Sequence, residues 1–182
     1  MTGSLSIAEI KYRLGKAAGD FTTHCSALSD EHFFYHPGEK WSAAQQVKHL
    51  VTATDTARLA FTLPKFMLRM AGGKPNRPSR TYDELVAKYK LKLEQGGRAS
   101  GRYIPKPILP AYGKEKLLAS FTKSMRRFAE ALQKNWNEPQ PDQYIVPHPL
   151  LGKVTLRELC YFTIHHTYHH LESIQKMAIQ RC

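Results

Sequence analysis

The chain has 182 residues, 42% of them hydrophobic and 23% charged, which is an ordinary globular composition and argues against intrinsic disorder. A domain of this size buries roughly 70% of its unfolded surface without help from disulfides or a partner, so one domain spanning residues 1–182 is expected. Twenty-seven Lys and Arg against fifteen Asp and Glu leave a net charge of +12.

No window approaches the ~20 apolar residues of a membrane span; the run from Leu59 to Pro64 is cut short by Lys65. The start, Met1-Thr2-Gly3-Ser4-Leu5, has no basic stretch followed by an apolar run, so no secretory signal is visible. Three cysteines (Cys25, Cys160 and Cys182) are an odd number at no metal-like spacing, which speaks against a disulfide framework. A cytoplasmic protein without membrane contact is the expectation.

Helical periodicity dominates, and no stretch keeps a period of two. A first helix is predicted from about Ile7 to Leu28, with Ile7, Ile10, Leu14, Ala17, Phe21 and Leu28 roughly in line; Asp30 and the turn His36-Pro37-Gly38 break it. A second opens at Ser42, with Gln45 placed for a capping box. It continues through Val47, Leu50, Thr54, Ala57 and Phe61 towards Met70, where Pro64 kinks it or ends it early.

From Gly72 to Gly113 glycine and proline punctuate a long connection. It holds one short helix, Tyr82 to Glu94, and an extended stretch from Lys106 to Pro110. Such a length is too great for a tight hairpin and suits a crossover between two helices that run the same way. The third helix, about Lys114 to Trp136, carries the seam Leu117, Phe121, Met125, Phe128 and Leu132. After a loop through Pro147-His148-Pro149-Leu150-Leu151-Gly152, the fourth begins at the capping box Thr155 to Glu158 and reaches about Met177. The fold class is therefore all-α, a four-helix bundle with a long basic crossover (72–113) between helices 2 and 3.

That crossover concentrates the charge. Between Lys65 and Lys116 there are thirteen basic and four acidic residues, which carry +9 of the +12. Nucleic acid, an anionic surface or an acidic small molecule would be attracted there. No nucleic-acid motif accompanies the charge, so a solvated basic surface without a dedicated partner explains it better.

Nine histidines are many for this length, and four fall in His165-His166-Thr167-Tyr168-His169-His170. Leu156, Leu159, Thr163, His166, His170, Ile174 and Met177 advance by three or four, which marks the inward seam. His165 and His169 lie on the flank, as flanking rather than ligating residues. On the second helix Gln46, His49, Ala53, Thr56 and Ala60 form a similar seam. His49 lies about 10 Å above its helix start and His170 about 10 Å below its helix end, at ~1.5 Å per residue. In antiparallel helices His49, His166 and His170 therefore share a level. Unsatisfied buried imidazoles cost roughly 1–3 kcal/mol each, and a divalent transition metal such as zinc, nickel or iron would satisfy them. Satisfied core histidines are the alternative.

The segment Trp41–Leu50 (WSAAQQVKHL) resembles the W-S-x-x-E/Q-x-x-x-H-L segment of the DinB/YfiT-like superfamily. His148 to Thr155 resembles the loop before that family's last helix. His166 to Ile174 resembles its closing H-x-x-H/R-H-x-x-Q-I, with Ser173 where Gln is frequent. The resemblance implies an up-down-down-up bundle with a three-histidine metal centre at His49, His166 and His170. It also implies a metal-dependent transferase or hydrolase acting on a small-molecule substrate, in some members with a low-molecular-weight thiol as cosubstrate. A homodimer is common in bundles of this kind. A metal-binding bundle without catalysis, and an anion- or nucleic-acid-binding module built on the crossover, are the competing expectations.

Three ligands leave a coordination position open, as catalytic sites do. The mouth is expected near His32, His36, Trp41, Tyr103 and Tyr112. His36 is the candidate for proton transfer, with an exposed turn histidine as the alternative reading, and Arg98, Arg102 or Lys106 are candidates for attracting carboxylates. Glu158 is assigned to helix capping, and Cys25 and Cys160 to the core.

Overall fold

A computed structural model describes residues 4–36, 38 and 40–179. The Met1-Thr2-Gly3 start, Pro37 of the predicted turn and Cys182 lie outside the described residues. The elements in chain order are α1 (Ile7–Ala27), α2 (Asp30–Phe34), α3 (Ala43–Thr62), α4 (Lys65–Gly72), α5 (Tyr82–Glu94), α6 (Lys114–Asn135), β1 (Ile145–His148), β2 (Gly152–Thr155) and α7 (Leu156–Ile179).

Helices α1, α3, α6 and α7 form the bundle, and paired side chains fix their directions. Tyr161 accepts from the Leu5 N–H at 2.9 Å and Tyr168 donates to Asp20 at 2.9 Å, so α7 runs with α1. Lys11 donates to Gln133 and Thr22 meets Thr122, so α6 runs against α1. Ser124 donates to Asp55 and Asn135 donates to the Phe61 carbonyl, so α6 runs with α3. The order is up-down-down-up. Its core is the predicted seams: Ile10, Leu14 and Phe21 meet Leu117, Phe121, Phe128 and Leu132, all essentially inaccessible to solvent. The Phe21 and Phe121 rings pack at 4.9 Å, and truncating either to Ala costs about 3–5 kcal/mol.

Local chemistry sets the boundaries. Ser42 Oγ accepts from the Gln45 N–H and Gln45 Oε1 from the Ser42 N–H, closing the predicted capping box of α3. Pro64 ends α3, and the chain restarts as α4. In α5, Thr81 and Glu84 form another capping box. Two features escape the sequence reading. Ser29 caps the five-residue α2 inside the predicted break. Residues 145–155, read as a loop, form an antiparallel hairpin pairing Val146 with Val154; four-residue strands, one containing Pro147, are too short to show alternation.

The crossover is tied down rather than loose. Glu158 is fully buried and accepts from Arg77 (2.6 and 2.9 Å), from the Arg80 N–H (2.7 Å) and from the Thr155 N–H (3.1 Å). The predicted capping role of Glu158 is thus joined to an anchoring role for two of the basic residues. Two glycines set close approaches. A Cβ on Gly72 would lie 1.8 Å from the Ile145 carbonyl, and one on Gly97 would lie 2.4 Å from Leu150 Cδ1. These positions seat α4 against β1 and the segment after α5 against the hairpin tip.

Candidate metal centre and cavity

Because α3 and α7 run antiparallel, the start of one faces the end of the other. His49, His166 and His170 come together there, each buried, with ring nitrogens within 4.8 Å of one another. His166 Nε2 lies 3.1 Å from His49 Nε2 and 3.1 Å from His170 Nε2. The predicted division of α7 holds: His166 and His170 are 6% and 7% exposed, while His165 and His169 are half-buried on the flank against Tyr89.

Neighbours dictate where the ring hydrogens sit. His49 Nδ1 is 2.6 Å from the Tyr103 carbonyl. A carbonyl only accepts, so Nδ1 carries the hydrogen and Nε2 presents a lone pair. His170 Nδ1 is 2.9 Å from Gln46 Oε1. The Gln46 amide is oriented by its own Nε2, which donates to the Trp41 carbonyl at 3.3 Å. His170 therefore also donates from Nδ1 and turns its Nε2 lone pair inward. His166 Nε2 has at most one hydrogen to offer two facing lone pairs.

Electrostatics keep the cluster neutral. Burial lowers the pKa of all three, and the neighbouring imidazoles lower those of His166 and His170 further, well below 6.5. Protonation is thus a poor way to fill the gap between the lone pairs. The donor set fits a divalent transition ion: neutral imidazole nitrogens, with hydrogen-bond acceptors fixing the tautomer of two of them.

The cluster opens into a cavity of about 750 Å³. Bundle residues such as Ala53, Ala57 and Leu159 form part of its lining; Tyr89, Tyr103 and His148, from the crossover and hairpin, form another. The Trp41 ring lies parallel to that of His170 at 6.3 Å and tilted over His49 at 5.0 Å. Phe162 stacks on His166 at 4.7 Å.

Of the residues expected at the mouth, Trp41, Tyr103 and Arg98 line the cavity, whereas His32, His36, Tyr112, Arg102 and Lys106 do not. Gln45 donates to the Pro105 carbonyl, and the chain beyond it borders a second depression shared by Tyr35, His36 and Pro107 to Pro110. The structure thus separates His36, which is exposed, from the three histidines. Sequence reasoning gave no role to Gln46 or to the Tyr103 carbonyl. Gln46 was detectable as the seam residue one turn before His49; a backbone carbonyl 54 positions away carries no sequence signal. Cys25 and Cys160 are core residues, and burial pushes the Cys25 thiol up to about 12 and that of Cys160 higher still.

An up-down-down-up bundle whose inner face gathers three buried imidazoles defines a class with a metal-binding potential at one end. A sequence profile of the DinB superfamily matches residues 13–174, and the chain belongs to that superfamily. Among solved structures it is similar to YfiT from Bacillus subtilis, described as a probable metal-dependent hydrolase with an unusual four-helix bundle topology. The two share 17% identity and superpose with a TM-score of 0.61 over 96% of this chain and 87% of that one. No curated protein matches the chain. None of the described helices is long and apolar enough to cross a membrane.

Proposed function

We propose that the chain is a metal-dependent enzyme of the hydrolase or group-transfer type, acting on a small molecule in the 750 Å³ cavity. His49, His166 and His170 would hold a divalent ion such as zinc, nickel or iron. The observation that carries this reading is the convergence of these three nitrogens, two with tautomers fixed from behind by Tyr103 and Gln46. Held by these three imidazoles, a divalent ion would supply Lewis-acid activation of a water, thiol or carbonyl.

The chain's own residues bind and shield. Trp41 and Phe162 flank the imidazoles and keep bulk water from them. The apolar walls would hold an apolar substrate body, and crossover residues such as Tyr89 and Tyr103 line the same space. That YfiT is described as a probable metal-dependent hydrolase supports hydrolysis as the first reaction to test; the thiol-dependent chemistry implied by the family resemblance supports transfer as the second.

The test is to strip the protein with chelator and reload it separately with zinc, nickel and iron. Each form is then assayed on a panel of esters and amides and on electrophiles with low-molecular-weight thiols. Turnover in at least one reloaded form, absent from the stripped protein and from reloaded His166→Ala, is expected. Identical rates in stripped and reloaded protein across the panel would overturn the proposal.

A further inference from the structure

His148 stands apart from the other histidines of the cavity. It ends β1 and lines the cavity from the hairpin. The Leu150 N–H (3.2 Å) and the Leu151 N–H (3.1 Å) both donate to its Nδ1. A nitrogen that accepts hydrogen bonds this way carries no hydrogen of its own, so in the neutral ring the hydrogen is on Nε2. Burial, with a smaller contribution from Lys88, pushes its pKa down to about 4, so the ring is neutral at neutral pH. The hairpin turn thereby fixes one tautomer, and Nε2–H, across the ring from the turn, is a donor of constant direction. Among the described residues the ring's hydrogen bonds are at Nδ1 only.

Two further observations bear on what that donor meets. The His148 ring packs edge-on against Phe162 at 4.3 Å, and Phe162 is the ring stacked on His166. His148 is therefore one aromatic ring away from the cluster. Among the described residues that line the cavity none is acidic, and Lys40 and Arg98 add positive charge. An oxygen acceptor entering this space meets lone pairs at His49 and His170, an N–H at His148 and no competing carboxylate.

We infer that His148 is a substrate-binding residue, whose Nε2–H donates a hydrogen bond to a carbonyl or carboxylate oxygen of a small molecule with an apolar body. This rests on the reading of the cavity as a substrate site. It assigns the substrate class, an oxygen-acceptor compound such as an ester, amide, ketone or carboxylate. It also gives the His148-Pro149-Leu150-Leu151 turn a purpose beyond closing a hairpin. The interaction orients the acceptor oxygen and is the group that would stabilise added negative charge on it.

The test uses acetophenone and its isostere α-methylstyrene, which has the same shape without the oxygen, with the full chain in metal-loaded and chelated forms. In ¹⁵N-histidine spectra His148 is expected to be protonated at Nε2, with that resonance shifting on addition of acetophenone and not of α-methylstyrene. Acetophenone is expected to bind about tenfold more tightly than α-methylstyrene, the scale of one net hydrogen bond. His148→Asn retains an oxygen that can accept from the turn amides but loses the N–H reaching into the cavity. It is expected to keep the melting temperature and abolish the preference. An Nδ1-protonated His148, equal affinities for the two probes, a preference that survives in His148→Asn or vanishes on chelation, or binding of neither probe would each overturn the inference. If His148→Asn fails to fold, the wild-type spectra and affinities decide. A preference that persists in chelated protein, beside elemental analysis that finds no metal before or after loading, would leave this inference standing while the metal reading falls.

Discussion

On the α3–α7 side of the cavity two imidazoles donate from Nδ1, to the Tyr103 carbonyl and the Gln46 amide oxygen, and turn lone pairs inward. On the hairpin side His148 accepts at Nδ1 from two backbone amides, which leaves its hydrogen on Nε2. The residue type is the same, although His49 and His170 are buried and His148 is half-buried. The group behind the ring also differs, an acceptor in one case and a donor in the other, and on the proposed readings that difference separates a metal ligand from a substrate donor. The chemistry of a histidine-lined cavity is thus written in the shell around the histidines as much as in the histidines themselves.

His170→Ala removes one of three inward lone pairs. Metal affinity, read by competition with a coloured chelator, is expected to fall more than about 100-fold, since even outer partners of a ligand are worth 10–100-fold. Unchanged affinity would take His170 out of the site.

The hairpin side rests on Glu158, which anchors Arg77 and Arg80 of the crossover to the start of α7. Glu158→Gln strands the two guanidinium groups against a neutral amide and is expected to cost about 2–3 kcal/mol, less than a fully buried pair because both arginines are partly exposed. Burial alone would raise the Glu158 pKa. The hydrogen bonds from Arg77 and from the backbone of Arg80 and Thr155 prevail and hold it below the ordinary 4.5. The stabilisation from this carboxylate is therefore complete above that ordinary value and is lost as pH falls through the lower folded-state value. In thermal melts across the acid range, wild type should lose its advantage over Glu158→Gln as pH drops. Parallel curves would contradict the assignment.

A finer cut separates ligand from support. Gln46→Leu leaves all three imidazoles but removes the acceptor behind His170, and is expected to weaken metal binding about 10- to 100-fold. Wild-type affinity in that variant would mean that the tautomer is not set by Gln46. The smallest effect is expected at His36, which borders the other depression. His36→Ala should leave metal content and cavity binding as in wild type, and loss of either would reconnect it to the site.

The sequence made some of this legible and hid the rest for physical reasons. The four bundle helices, the caps at Ser42, Thr155 and Glu158, and the α5 span Tyr82–Glu94 are local patterns, readable because helix periodicity and capping act over three or four residues. That His49, His166 and His170 come together was legible because two seams and an antiparallel pairing put them at one height. The β1–β2 hairpin was not found, because four residues carry too little alternation. His36 was drawn to the mouth by nearness in sequence to Trp41, yet the extended chain around Pro105 to Pro110 gives it a different border. The tautomers were beyond sequence altogether, since they depend on backbone groups of Tyr103, Leu150 and Leu151 that no side-chain pattern records.

The three-histidine metal centre is tested by elemental analysis of purified, untagged protein, wild type beside His166→Ala. About one equivalent of a divalent transition metal per wild-type chain, and none in the variant, is expected. Metal-free wild type that stays metal-free after reconstitution, or equal metal in both proteins, would contradict it.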